Sequence, residues 1–99
     1  MGLHYINVGL LDTTVDPLLP EALVFHTLPN GKLQLGAVEY IVPKEAWDAE
    51  GHAELPMLFR HHFHLNQALG VYVLHAWIFT HNPLGIFNDW NPLVTCPAD

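Results

Sequence analysis

His4, Glu39 and His75 offer two imidazoles and one carboxylate. That is the donor set of mononuclear catalytic zinc, and of facial-triad iron sites that keep positions open for water or substrate. The three lie far apart in the chain, so only a fold that joins three separate segments makes a site of them. His81 and His26 are candidates for a fourth ligand, or for a partner that orients one of the three. Glu39 in particular demands partners. It stands in a run of aliphatic residues, where an unpaired ionised carboxylate costs on the order of several kcal/mol. The chain has only three Lys and Arg residues, Lys32, Lys44 and Arg60, against ten carboxylates. Lys32 and Lys44 sit at or just beyond the ends of the segment that carries Glu39. A histidine, a bound ion or its own protonation must therefore satisfy Glu39. The plainer alternative is a hydrogen-bonded Glu–His core network that holds no metal.

Period-two alternation of side chains is what would bring the trio together. "LHYINVGLL" (3–11) reads as a first strand, with His4, Ile6 and Val8 on one face. "EALVFHTL" (21–28) and "KLQLGAVEYIVP" (32–43) flank Asn30-Gly31, a pair suited to a type I′ turn, so they predict a β-hairpin. In its second strand Leu33, Leu35, Ala37, Glu39 and Ile41 line up, unless a bulge shifts the frame. "VYVLHAWIFTH" (71–81) is rich in β-branched and aromatic residues and predicts a central strand covered on both faces. Val71, Val73, His75, Trp77, Phe79 and His81 would share one of those faces. "PKEAWDAEG" (43–51) predicts a short helix, with proline where a helix can begin and glycine at its end. The sum is one domain over 1–99. It is α+β: a small antiparallel sheet or open barrel of about five strands with one or two short helices.

Two further clusters invite chemistry. "RHHFH" (60–64) sets His62 and His64 two apart on a predicted strand, an arrangement that can chelate zinc or copper. Pairing 60–64 with 71–75 would put His64 beside Val71, away from His75. The plain reading is an edge strand with surface histidines. "THNPLGIFNDWNP" (80–92) suggests a His81–Asp89 pair, but no nucleophile accompanies it, and Cys96 lies on the tail. There Asn82 and Asn91, each before a proline, are expected to fix turns, with Phe87 and Trp90 packing on the sheet. No P-loop and no G-x-G-x-x-G is present, so no nucleotide cofactor is expected.

Composition narrows the partners. A formal charge of −7 leaves no basic patch for phosphates, which disfavours nucleic acid and anionic lipid surfaces. The longest apolar run, 68–79, is too short to span a bilayer, so no membrane partner is expected. The chain is 51% hydrophobic and 13% charged, which predicts a thick core or apolar surface shared with a partner chain. "GLHYINV" after Met1 has neither a basic nor an apolar leader segment, so no export signal is expected in this stretch.

"MGLHYIN", "GAVEYIVP" and "LHAWIFTHNPLGIFNDWNPLVTC" together resemble the motifs of a family of small, uncharacterised bacterial proteins. Its pattern runs G-x-H-Y-x-N, V-E-Y-x-V, then L-H-x-W-x-W-x-H-N-P-x-G-x-F-x-x-W-N-P. Phe79 stands where the family has a second tryptophan. The resemblance covers most of the chain. It implies that His4, Tyr5, Glu39, His75, His81 and Asn82 belong to family motifs, and it supplies no activity. It also implies an exported bacterial protein with a leader and an upstream Cys-containing segment. On that footing Cys96 has lost a partner and Met1 is internal to a longer protein.

The leading expectation is a divalent or transition metal, zinc, copper or iron, held by His4, Glu39 and His75 with His81 close by. A catalytic version would activate water or dioxygen, with Tyr5 or Tyr40 as an acid/base helper. The second expectation is a non-enzymatic binding or assembly domain. It would hold a small apolar ligand or form a homo-oligomer through its aromatic-rich surface, around a metal-free Glu–His network.

Overall fold

A five-stranded antiparallel sheet organises the chain, in the spatial order β1 (Leu3–Ile6), β2 (Ala22–Thr27), β3 (Leu33–Pro43), β7 (Val71–Ala76), β6 (His64–Asn66). The structure is a computed structural model and describes residues 3–89 and 91–94. A second, two-stranded sheet pairs β4 (Met57–Leu58) with β5 (His61–His62). One short helix, α1 (Lys44–Ala49), and a 3-10 turn (Val8–Leu10) complete the described elements. The α+β expectation holds, as an open sheet whose edges β1 and β6 do not close into a barrel. Cys96 and Trp90 lie outside the described residues.

β3 and β7 form the centre. Val38, Tyr40 and Val42 of β3 and Tyr72, Leu74 and Ala76 of β7 face one side and pack with the fully buried Phe63. Trp47 of α1 and Phe87 cover that side. The other side carries Ala22, Ile41 and Val73 in one patch and Val24, Ala37, Trp77 and Val94 in another. Between the two patches lie Glu39 and His75, each buried.

The hairpin forms as the sequence predicts, but its turn differs. Gly31 alone takes positive φ, at 83°. Gly31 N–H donates to Leu28 O and Leu28 N–H donates to Lys32 O, so the loop holds three residues. This is the turn-plus-αL-glycine form of hairpin rather than a type I′ pair. The two-residue turn with both φ positive occurs instead at Phe59 (53°) and Arg60 (64°), between β4 and β5. Neither residue favours that conformation, so no sequence signal marked it.

A bulge also shifts the frame in β3. Val24 pairs with Ala37 but Phe25 pairs with Leu35, which leaves Gly36 without an opposite residue. Leu33 and Leu35 therefore leave the face that carries Ala37 and Glu39, and the predicted five-residue row is broken there. Gly36 O accepts the N–H groups of Phe79 and Thr80. The chain leaves β7 at Ala76 and bends across this bulge, so the predicted strand over 71–81 stops five residues early, before His81. A Cβ on Gly36 would lie 3.2 Å from both Trp77 Cζ3 and Thr80 Oγ1. Trp77 is buried and cannot retreat. Gly36→Ala is expected to destabilise the protein by about 1–3 kcal/mol. Urea unfolding checks this, as a lowered midpoint with an unchanged slope.

Candidate metal centre

Glu39 and His75 are direct cross-strand partners on β3 and β7, so their side chains leave the sheet on the same face. His4 comes from the edge strand β1. It pairs with Val24, which pairs with Ala37, and so it lies on that same face. β2 separates β1 from β3, a backbone gap of about 10 Å. On β2 the residue opposite Glu39 is Ala22, whose methyl group leaves room for the two longer side chains to meet over it. His4 Nε2 reaches to 3.8 Å from Glu39 Oε1. The His4 and His75 rings stand edge to face, 5.8 Å between centroids. The three residues offer ligand atoms that all lie within 4.8 Å of one another. Ligands about 2.1 Å from one ion stand at most ~4.2 Å apart, so small side-chain movements close the set.

The two ring nitrogens of His75 have different surroundings. Nδ1 lies 3.0 Å from Asp89 Oδ1. A carboxylate accepts, so Nδ1 carries the proton and donates it. Nε2 lies 2.9 Å from Glu39 Oε2, a hydrogen-bonding distance. The oxygen stands off the direction in which the nitrogen points, however, and buried Nε2 makes no hydrogen bond. The charge of Glu39 still acts on the ring. The residues present therefore fit a metal ion. A buried imidazole nitrogen is left over beside a carboxylate and a second imidazole, and the far side of its ring is held by an acid, as metal-bound histidines commonly are.

Asp89 is the participant that alternation could not reveal. The chain after β7 folds back in two asparagine-anchored turns, as the Asn-Pro pairs predict. Asn82 Oδ1 accepts Leu84 N–H, and Asn91 Oδ1 accepts Leu93 N–H. Trp77 ties this segment to the sheet, its backbone N–H donating to Ile86 O and its indole N–H to Asn88 O. The return delivers Asp89 beneath His75. Its other oxygen accepts from His64 Nδ1 at 2.8 Å. His64 pairs with Val73, not with Val71, so it stands on the site face next to His75 rather than apart from it. The available signal was that Asp89 is the sole carboxylate between Glu54 and Asp99.

Other expected participants are elsewhere. His81 is exposed beyond the end of β7 and is not in the cluster; its carbonyl accepts from Asn91 Nδ2. His26 is buried at the hairpin end, where Nε2 meets Gln34 Oε1 at 2.8 Å and Thr80 Oγ1 at 3.0 Å. His62 and His64 fall in different sheets, separated by buried Phe63, so they form no chelating pair. Tyr5 points to the opposite face from His4 and packs on Phe25. Tyr40 belongs to the core of that opposite face and donates to Pro17 O. Neither tyrosine serves the site.

Around the trio opens a pocket of about 790 Å³, lined by His4, Glu39, His75 and Asp89 together with aliphatic side chains and the amides Asn66 and Gln67. No helix among the described residues is long and apolar enough to cross a membrane. No protein-family model, curated protein or solved structure matches this chain.

Electrostatics sharpen the site. Burial pushes the His75 imidazole toward neutrality, but the hydrogen bond to Asp89 and the nearby charges of Glu39 and Asp89 outweigh burial and raise it to about 9. Burial likewise pushes Asp89 up, and its two histidine partners overcome this and hold it below the usual carboxylate range. Without metal, His75 is thus an imidazolium clamped between two acids at neutral pH. Its pKa is higher folded than unfolded, so its contribution is complete below about pH 6.5 and is lost as pH rises through about 9. In chelator-treated protein, stability should fall over that window by roughly 3 kcal/mol at most. Urea midpoints against pH check this, and His75→Gln should flatten the curve across the window.

Proposed function

We propose that this domain binds one divalent or transition metal ion through His4, Glu39 and His75. The observation that carries the reading is the buried His75 Nε2, left without a hydrogen bond beside Glu39 while Asp89 holds the opposite nitrogen. Two imidazoles and one carboxylate suit zinc, iron or copper and leave coordination positions open on the pocket side. Such an ion supplies Lewis acidity, or a site for water or dioxygen. The chain's own residues supply the rest. Glu39 provides the one buried negative charge of the set, and Asp89 fixes the His75 ring and its tautomer. Binding must displace the His75 proton, so affinity rises with pH up to about 9.

A second reading is favoured by that same proton. With His75 charged between Glu39 and Asp89, the cluster is a charge-balanced ion network without metal, in a domain that binds or assembles through its apolar surfaces.

Metal analysis of untagged protein separates the two. The metal reading predicts about one equivalent of zinc after loading and dialysis. His75→Ala should lose it, and Asp89→Asn should weaken it by about 10–100-fold. Stoichiometric metal unaffected by His75→Ala would contradict the assignment, and no retained metal would favour the network.

A further inference from the structure

We propose that the pocket beside the His4–Glu39–His75 centre binds an aliphatic monocarboxylate, whose head group takes an open position of the ion. This rests on the metal reading above and names the ligand class of that site.

One end of the pocket is the trio itself. The walls are mainly aliphatic, Ile6, Ile41, Leu65, Leu69, Val71 and Val73, with the uncharged amides of Asn66 and Gln67 among them. Apart from the two imidazoles, no aromatic ring lines the space, so nothing there stacks a nucleobase or a phenyl group. Lysine and arginine are also missing from the lining, so a phosphate or a second carboxylate would find no counter-charge. About 790 Å³ is within the range of small-molecule sites, and far larger than a bound water needs.

Charge selects the head group. A divalent ion with Glu39 and two neutral imidazoles keeps one positive charge. Asp89 stands on the far side of the His75 ring and is shared with His64. A single carboxylate neutralises the remaining charge, where a dianion would overshoot and an ammonium would be repelled. Oxygen donors also suit the ion. The tail then replaces water along the aliphatic walls.

The test uses the full chain loaded with cobalt(II) and titrated with acetate, butanoate, hexanoate and octanoate. The visible spectrum of cobalt and the methyl resonances of the pocket are recorded together. Octanoate is expected to perturb the cobalt spectrum saturably and to shift the Ile41 and Leu69 methyls. Affinity should rise about threefold per added methylene, somewhat under the full transfer value because the pocket is open on one side. Octylamine should do neither. Leu69 is 69% exposed, so Leu69→Glu should keep the fold and the cobalt spectrum while weakening octanoate at least tenfold. Cobalt that binds while octanoate does no better than acetate overturns the proposal and leaves the metal reading standing. Equal octanoate binding to metal-free protein also overturns it, because the head group is then not on the ion. A chain that takes up no cobalt overturns the metal reading and this proposal with it.

Discussion

The carboxylate of Glu39 is buried in the middle of a sheet, and the rest of the site answers to it. An acid at a central strand position cannot stay ionised without a cation, and the chain has only three Lys and Arg residues to offer. Its direct neighbour on β7 is His75, not an aliphatic residue. His75 in turn is buried and cannot carry charge there without a second acid, which Asp89 provides. Each polar residue in this row makes the next one necessary. The row ends at the surface with His64 on one side and half-buried His4 on the other.

The fold serves this row at its margins. The bulge at Gly36 turns the hairpin end of β3 out of frame, yet it leaves the segment from Ala37 to Ile41 in register with β7. The same glycine receives the chain as it leaves β7, which starts the return that carries Asp89 back. Asparagine-anchored turns and the two N–H groups of Trp77 then hold that return in place. Backbone irregularities thus do the positioning, while the regular strands supply the face.

Much of this was legible in the residues. The antiparallel sheet, the hairpin, the short helix and the convergence of His4, Glu39 and His75 all follow from period-two alternation in strongly patterned segments. What could not be seen depends on pairing across long separations. Asp89 reaches His75 only because a loop folds back, and no period encodes that. His64 joins the site because β6 is offset by two residues from the expected register, which the length of the Asn66–Gly70 turn decides. Alternation places His81 on the His75 face, because it assumes that a strand continues. Here hydrogen bonds to Gly36 O ended it.

The central claim is that one imidazole nitrogen of His75 is kept available to an ion, and that the exposed histidines are not the binding groups. Two-bond proton–nitrogen spectra of protein labelled at its histidine rings, recorded before and after one equivalent of zinc, test this most directly. The account predicts that His75 keeps its Nδ1 proton and changes at Nε2, that a His4 ring nitrogen changes with it, and that His61, His62 and His64 gain no bound metal. Zinc-induced changes confined to those three exposed rings, with His75 still doubly protonated, would contradict it.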